Sequence, residues 1–264
     1  MRVLSLGAGV QSSTLLLMAC EGELELDAAI FADTGWEPWW VYQHLDGLER
    51  TAKAAGIPLY RVGRGALRQD ALDNKTASWM PLYSVNAAGK KEKLKRQCTS
   101  NYKIRPIRRQ VAALNGGCRR QVEQLVGISW DESERMHDSD VKYIKNVYPL
   151  IERRITRAGC VAWLRAHEYP VPRKSSCIAC PLRSGAEWRE IRNDPASWAD
   201  AVDFDERIRR VRARTRLQEV FVHRDVIPLP LVDLRSEQDR GQLDMFDESD
   251  ETDGCGVLCA TDVA

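Results

Sequence analysis

The chain opens on a short apolar run, Val3, Leu4 and Leu6 around Ser5, that reads as a buried strand over residues 2–6. A glycine-bearing turn follows, and residues 12–20, with Leu15, Leu16, Leu17 and Met18, predict a helix. A second apolar run over residues 28–32 predicts a strand ending at Asp33. Residues 39–55 have helical length and period and stop at Gly56, and residues 57–62 predict a third strand. This β-α-β-α-β order predicts an α/β fold on a doubly wound parallel sheet, with its ligand crevice at the C-terminal ends of the strands. From 63 to 97 the pattern breaks into a mixed, lysine-rich stretch, read as a loop or lid over that crevice. A helix is expected over 101–114 despite Pro106, strands over 122–128 and 141–150, and helices over 157–167, 187–193 and 197 to about 217. Residues 1–235 are thus expected to form one nucleotide-binding α/β domain with a helical C-terminal part, and residues 236–264 a flexible acidic tail.

Composition narrows this picture. With 264 residues, 44% of them hydrophobic, the chain can bury a sizeable core. It lacks an apolar run of membrane-spanning length and enters its first strand without a cleavable leader pattern, so a cytosolic protein without a membrane partner is expected. Eight cysteines are too few and too scattered for a disulfide scaffold, and the closely spaced ones are read as metal or redox ligands. The net charge of +1 hides strong separation: residues 89–109 carry nine Lys/Arg against one acid, and residues 237–253 carry eight acids against Arg240. The first segment is expected to bind anions and the second to be solvated.

Gly7 and Gly9 would let the backbone approach an anion, and the helix opening near Ser12 adds free N–H groups and a partial positive charge. The spacing matches neither the dinucleotide fingerprint nor the Walker loop, and a plain strand-to-helix turn explains it equally well. Asp33 ends a strand where a ribose or a metal would lie. Cys177 and Cys180 form a C-x-x-C before Pro181, a spacing that lets two thiolates converge on one metal or cluster. Arg96, Lys103, Arg105, Arg108 and Arg109 suit phosphate or sulfate, or form a solvated basic face. Residues 207–216 hold six Arg and no acid, an exposed helix or a nucleic-acid contact. Trp36 and Trp39 either border an adenine or pack in the core. The histidines have no metal-ligand spacing.

Four segments, in order, carry a resemblance. "GAGVQSS" (7–13) resembles the phosphate-binding loop of the adenine-nucleotide alpha-hydrolase superfamily, and "FADTGWEP" (31–38) the Asp-Thr-Gly segment of its phosphoadenosine phosphosulfate (PAPS) reductase branch. "RQCTSNYKIRPIRR" (96–109) and "YPVPRKSSCIACPLR" (169–183) resemble the two cysteine segments of iron–sulfur sulfonucleotide reductases, with "GISWDESERM" (127–136) between them. The resemblance implies an enzyme that binds an adenine nucleotide or sulfonucleotide through Ser5, Gly7, Gly9, Gln11, Ser12, Ser13, Asp33, Thr34, Gly35, Lys103, Arg105, Arg108 and Arg135. ATP-splitting relatives usually carry Asp where this chain has Gln11. A neutral amide can only hydrogen-bond, so Gln11 favours holding an activated nucleotide over splitting ATP.

The same resemblance implies an iron–sulfur cluster, [4Fe-4S], on Cys98, Cys177, Cys180 and Cys259, although Gln97 stands where cluster-bearing relatives have a second adjacent cysteine. Zinc remains an alternative on the same C-x-x-C. The tail "GCGVLC" resembles the C-terminal cysteine pair of phage and bacterial PAPS reductase-like proteins; Cys255 and Cys259 are the candidate catalytic thiols, one a nucleophile and one a ligand. A thiol electron donor follows as a partner. Two other functions stay open: an ATP-dependent sulfur transferase acting on a nucleobase or DNA, and a nucleic-acid-binding module with an inactive nucleotide site. Cys20, Cys118 and Cys160 read as packing or surface residues.

Overall fold

The computed structural model describes residues 1–75, 78–86, 88–117, 120–214 and 219–236. In chain order the elements are β1 (Arg2–Leu6), α1 (Val10–Cys20), β2 (Ala28–Asp33), α2 (Trp39–Ala54), β3 (Leu59–Gly63), α3 (Leu67–Leu72), β4 (Tyr83–Val85) and β5 (Lys91–Lys93). A π-helical turn, Thr99–Ile104, then leads into α4 (Arg105–Leu114), followed by β6 (Val122–Val126), a 3-10 turn (Trp130–Arg135), β7 (Ile144–Val147) and α5 (Pro149–Glu152). The remainder is α6 (Arg157–Ala166), α7 (Gly185–Arg192), α8 (Pro195–Arg214) and β8 (Val220–Phe221).

Two compact units result, one from Met1–Arg64 with Thr99–Ser175, the other from Gly65–Cys98 with residues 176–236. The first holds a five-stranded, all-parallel sheet in the order β3-β2-β1-β6-β7. Its central strands are buried on both faces, which is why they read as continuous apolar runs and not as alternation. Val3, Ile30, Ala32, Val122 and Ile144 pack with Ile107 and Val111 of α4 on one face. α1 and α2, which connect β1 to β2 and β2 to β3, pack against each other. Strand order reverses between β1 and β6, and the loops after these two strands flank the switch point where such sheets bind ligands. This is the expected α/β, doubly wound parallel sheet.

Three expectations need correction, each for a local reason. The 101–114 helix begins in fact as a π-turn, because Pro106 has no N–H and its ring crowds the carbonyl four residues back; the wider turn relieves that clash before α4 proceeds. The strand expected to run to 150 stops at Val147, and Pro149 opens the short helix α5, a position that suits its fixed φ. Residues 63–97 are not simply loop: they contain α3, β4 and β5, and the second unit carries the antiparallel sheet β5-β4-β8. Strands of two or three residues bearing lysines leave no readable alternation. In this second unit Trp188, Phe204, Ile208 and Val220 are buried. Asp205, fully buried, accepts from the backbone N–H groups of Val222 and Leu229, both at 3.1 Å, and pairs with Arg209 at 3.2 Å. No helix among the described residues is long and apolar enough to cross a membrane.

Candidate functional site

The loop after β1 is tight. Ala8 takes the left-handed position, φ 56°, and Gly9 follows in extended geometry as the residue before α1. The Gly7 N–H donates to Ser12 Oγ at 3.1 Å, so the Ser12 side chain braces the loop from within. Among the described residues α1 starts with no side-chain cap and no acid in its first turn, which favours an anion at its N-terminus. A Cβ built on Gly9 would meet nothing within 4 Å, so open space lies over this helix end. Gly127, just after β6, is the opposite case: a Cβ there would lie 2.8 Å from Ser12 N, so only glycine lets the β6 loop press against the start of α1.

Ser13 is fully buried and its Oγ lies 2.9 Å from His44 Nε2 on α2. Burial pushes the His44 pKa down to about 4, so this imidazole is neutral near pH 7. Ser5 is buried in β1, and its Oγ has no hydrogen-bond partner among the described residues.

Gln11, in the first turn of α1, is engaged at both ends. Its Nε2 donates to Glu132 Oε2 at 2.9 Å, and its Oε1 accepts from Arg157 Nη1 at 3.0 Å. Glu132 is only 7% exposed; it also receives Arg135 on its other oxygen and the Ser129 hydroxyl at 3.4 Å. Asp131 accepts from the Arg157 backbone N–H at 3.0 Å, fixing the start of α6. The resulting chain, Arg157 to Gln11 to Glu132 to Arg135, sets two guanidinium groups around one buried carboxylate beside α1.

At the end of β2, Asp33 Oδ1 accepts from Gly35 N–H at 2.7 Å and from Tyr42 OH at 2.9 Å, with Gly35 at φ 68° making the turn. Burial, and then the Asp33 carboxylate, push the Tyr42 hydroxyl well above its ordinary range. Thr34, buried, donates to Glu37 Oε1 at 3.2 Å, and Lys103 Nζ stands 3.5 Å from the same oxygen. Arg105 is exposed, while Arg108 is paired with Asp140, whose carboxyl it holds below the usual range. Trp36 is buried, Trp39 is exposed, and Arg173 stacks 5.3 Å from the Trp40 ring centroid. The nucleotide-site residues named from the sequence therefore share the first unit, most of them along the C-terminal edge of its sheet.

The cysteines named as metal ligands that fall among the described residues, Cys98, Cys177 and Cys180, belong to the second unit. Cys98 N–H donates to Trp79 O at 3.0 Å, and Cys180 N–H to Cys177 O at 3.1 Å, closing a turn across the C-x-x-C. Arg183, 5% exposed, wraps this turn: Nη2 donates to Ser176 O and Cys177 O, both at 2.9 Å, and Nε to Ile178 O at 3.1 Å. No group of three or more His, Cys, Asp or Glu side chains converges on a metal position among the described residues. Cys118, Cys255 and Cys259 lie outside them. Burial pushes the Cys20 and Cys160 thiols up to about 11, in keeping with packing residues.

Sequence reasoning did not identify Glu132 as the hub, nor Arg157, Gly127, His44 or Arg183. Glu132 and Gly127 lie inside the quoted 127–136 segment and Arg183 closes the 169–183 segment, so the signal was present. Glu132, Arg157, Gly127 and His44 depend on contacts distant along the chain, whereas Arg183 bonds carbonyls only five to seven positions back, across an irregular turn that leaves no readable pattern.

No family model matches this chain, and comparison with curated proteins returns no match. Among solved structures the chain is similar to a phosphoadenylyl-sulfate (PAPS) reductase from Candida auris in a phosphate complex. That similarity has 17% sequence identity and a TM-score of 0.44, and covers 65% of this chain and 74% of that one.

Proposed function

We propose that this chain is an enzyme that seats the phosphate of an adenine sulfonucleotide, or a related nucleotide, at the N-terminus of α1 and carries out reductive sulfur chemistry on it. The observation that carries the reading is the open cradle over Gly9, at an uncapped helix end beside the sheet's switch point. Arg135 offsets Glu132 and Arg157 adds positive charge there, so an incoming anion meets little repulsion. Gln11 serves this reading as a brace holding Glu132 and Arg157 in register.

In this reading the Cys255 thiolate attacks the sulfur of the bound sulfonucleotide, and Cys259 is the tail ligand. An S–S bond forms, the S–O bond to phosphate breaks, and the nucleotide leaves with the electron pair. A second thiol then displaces sulfite, leaving a disulfide that an external dithiol donor reduces. An iron–sulfur cluster, with zinc as the alternative, would be held by Cys98, Cys177, Cys180 and Cys259. It would supply a fixed centre of charge and electron density. The donor set fits in part: the C-x-x-C turn offers two soft ligands beside a buried guanidinium, and the remaining ligands are not assembled among the described residues.

The test is anaerobic turnover of the full chain with PAPS, its unphosphorylated analogue adenosine phosphosulfate, and ATP with Mg²⁺, in the presence of a dithiol. Sulfite release without pyrophosphate is expected. Pyrophosphate from ATP without sulfite would overturn the reading in favour of an adenylating sulfur transferase.

A further inference from the structure

The buried Glu132, Glu37 and Asp205 carboxylates each stand beside a cation, but buried Arg183 has no carboxylate partner among the described residues. The three hydrogen bonds of its guanidinium all go to neutral carbonyl oxygens. Its Nη1 is buried without any hydrogen-bond partner among the described residues. The Ser176 hydroxyl, 1% exposed on the same turn, is also without one. An uncompensated buried charge and two orphaned donors are strongly unfavourable unless an acceptor completes them. The turn that Arg183 binds, and that Ser176 opens, carries Cys177 and Cys180.

We propose that the Cys177–Cys180 turn is built to hold an anion against Arg183 and Ser176, and that in the loaded protein this anion is a thiolate-bound metal centre. The assignment of the centre rests on the function proposed above. Both candidate centres, a cluster or a zinc ion on four thiolates, carry net negative charge, which Arg183 offsets. The three carbonyl bonds also fix the backbone that sets the spacing of the two thiols. Arg183 is therefore a positioning residue and a counter-charge, and not itself a ligand. A free oxyanion such as sulfite shares the same chemistry and could meet the same donors.

The experiment compares the full chain, purified anaerobically, with Arg183→Met, Arg183→Lys and Ser176→Ala. Iron, acid-labile sulfide and zinc per chain are measured, then the half-life of bound metal against a chelator, with circular dichroism as the fold control. Arg183→Met is expected to lose metal at least tenfold faster than wild type, Arg183→Lys to fall between them, and Ser176→Ala to show a smaller loss. If Arg183→Met does not fold, the Lys and Ser176→Ala variants carry the comparison. Metal-free wild type is also titrated with sulfite. A wild type that holds no metal but binds sulfite only with Arg183 intact would end the metal reading and keep the anion site. Folded variants that hold metal as long as wild type, with no Arg183-dependent sulfite binding, would overturn the proposal.

Discussion

Gln11 shows how one side chain can be half legible. Its chemistry follows from the sequence: a neutral amide offers a donor and an acceptor and no metal-facing charge. Its partners do not, because Glu132 and Arg157 stand 121 and 146 positions away. The structure explains why a carboxylate would be unwelcome here, since it would face Glu132 and forfeit the Nε2 bond. Gln11→Ala should therefore lower stability by about 1–2 kcal/mol, the worth of partly exposed hydrogen bonds to charged groups. Gln11→Asp should cost at least as much, and should not raise pyrophosphate release from ATP above wild type. Denaturant unfolding and a pyrophosphate assay on both variants check this; a gain in pyrophosphate with Gln11→Asp would mean that the loop is an impaired ATP-splitting site.

Among the elements, α1 lacked a legible start in the sequence. It is buried nearly all round, so it shows no amphipathic period to mark its start, and it begins at Val10, two residues before the expected Ser12. The α2 boundary was legible because Gly56, at φ 75°, ends it with a left-handed residue. Where α1 meets the β6 loop, Gly127→Ala should drive a methyl group into the backbone at Ser12. An overpacking cost of about 1–3 kcal/mol is expected, with weaker nucleotide binding, in unfolding and titration experiments on the same preparation.

The contact between α1 and α2 through Ser13 and His44 gives a pH signature. The folded pKa of His44, about 4, lies below its unfolded value, so the unfolded chain binds the extra proton first as pH falls. This contribution is intact above about pH 6.5, declines between about 6.5 and 4, and amounts to at most roughly 3 kcal/mol. His44→Asn should flatten that part of the stability–pH curve; an unchanged slope would show that His44 is not held neutral.

At the scale of the whole molecule, the parallel sheet was legible because its central strands β1 and β2 are continuous apolar runs and its first three strands alternate with helices of ordinary length. The second unit was not, since its sheet joins β4 and β5 to β8, more than 120 positions later, through strands too short to leave a pattern. The candidate site residues divide the same way. The glycines and the Asp-Thr-Gly turn of the first unit, and the C-x-x-C of the second, announce themselves, whereas the buried charges of each unit, Glu132 beside Gln11 and Arg183 on the C-x-x-C turn, become meaningful only once the chain is folded. The central claim is that a nucleotide phosphate sits over Gly9 at the start of α1. Calorimetric titration of wild type and Gly9→Val with PAPS, without reductant, tests it most directly. The open space at Gly9 should let the valine variant fold with its melting temperature little changed, while its branched side chain fills the cradle and weakens binding at least tenfold. Equal affinity in the two proteins would contradict the account and place the nucleotide elsewhere.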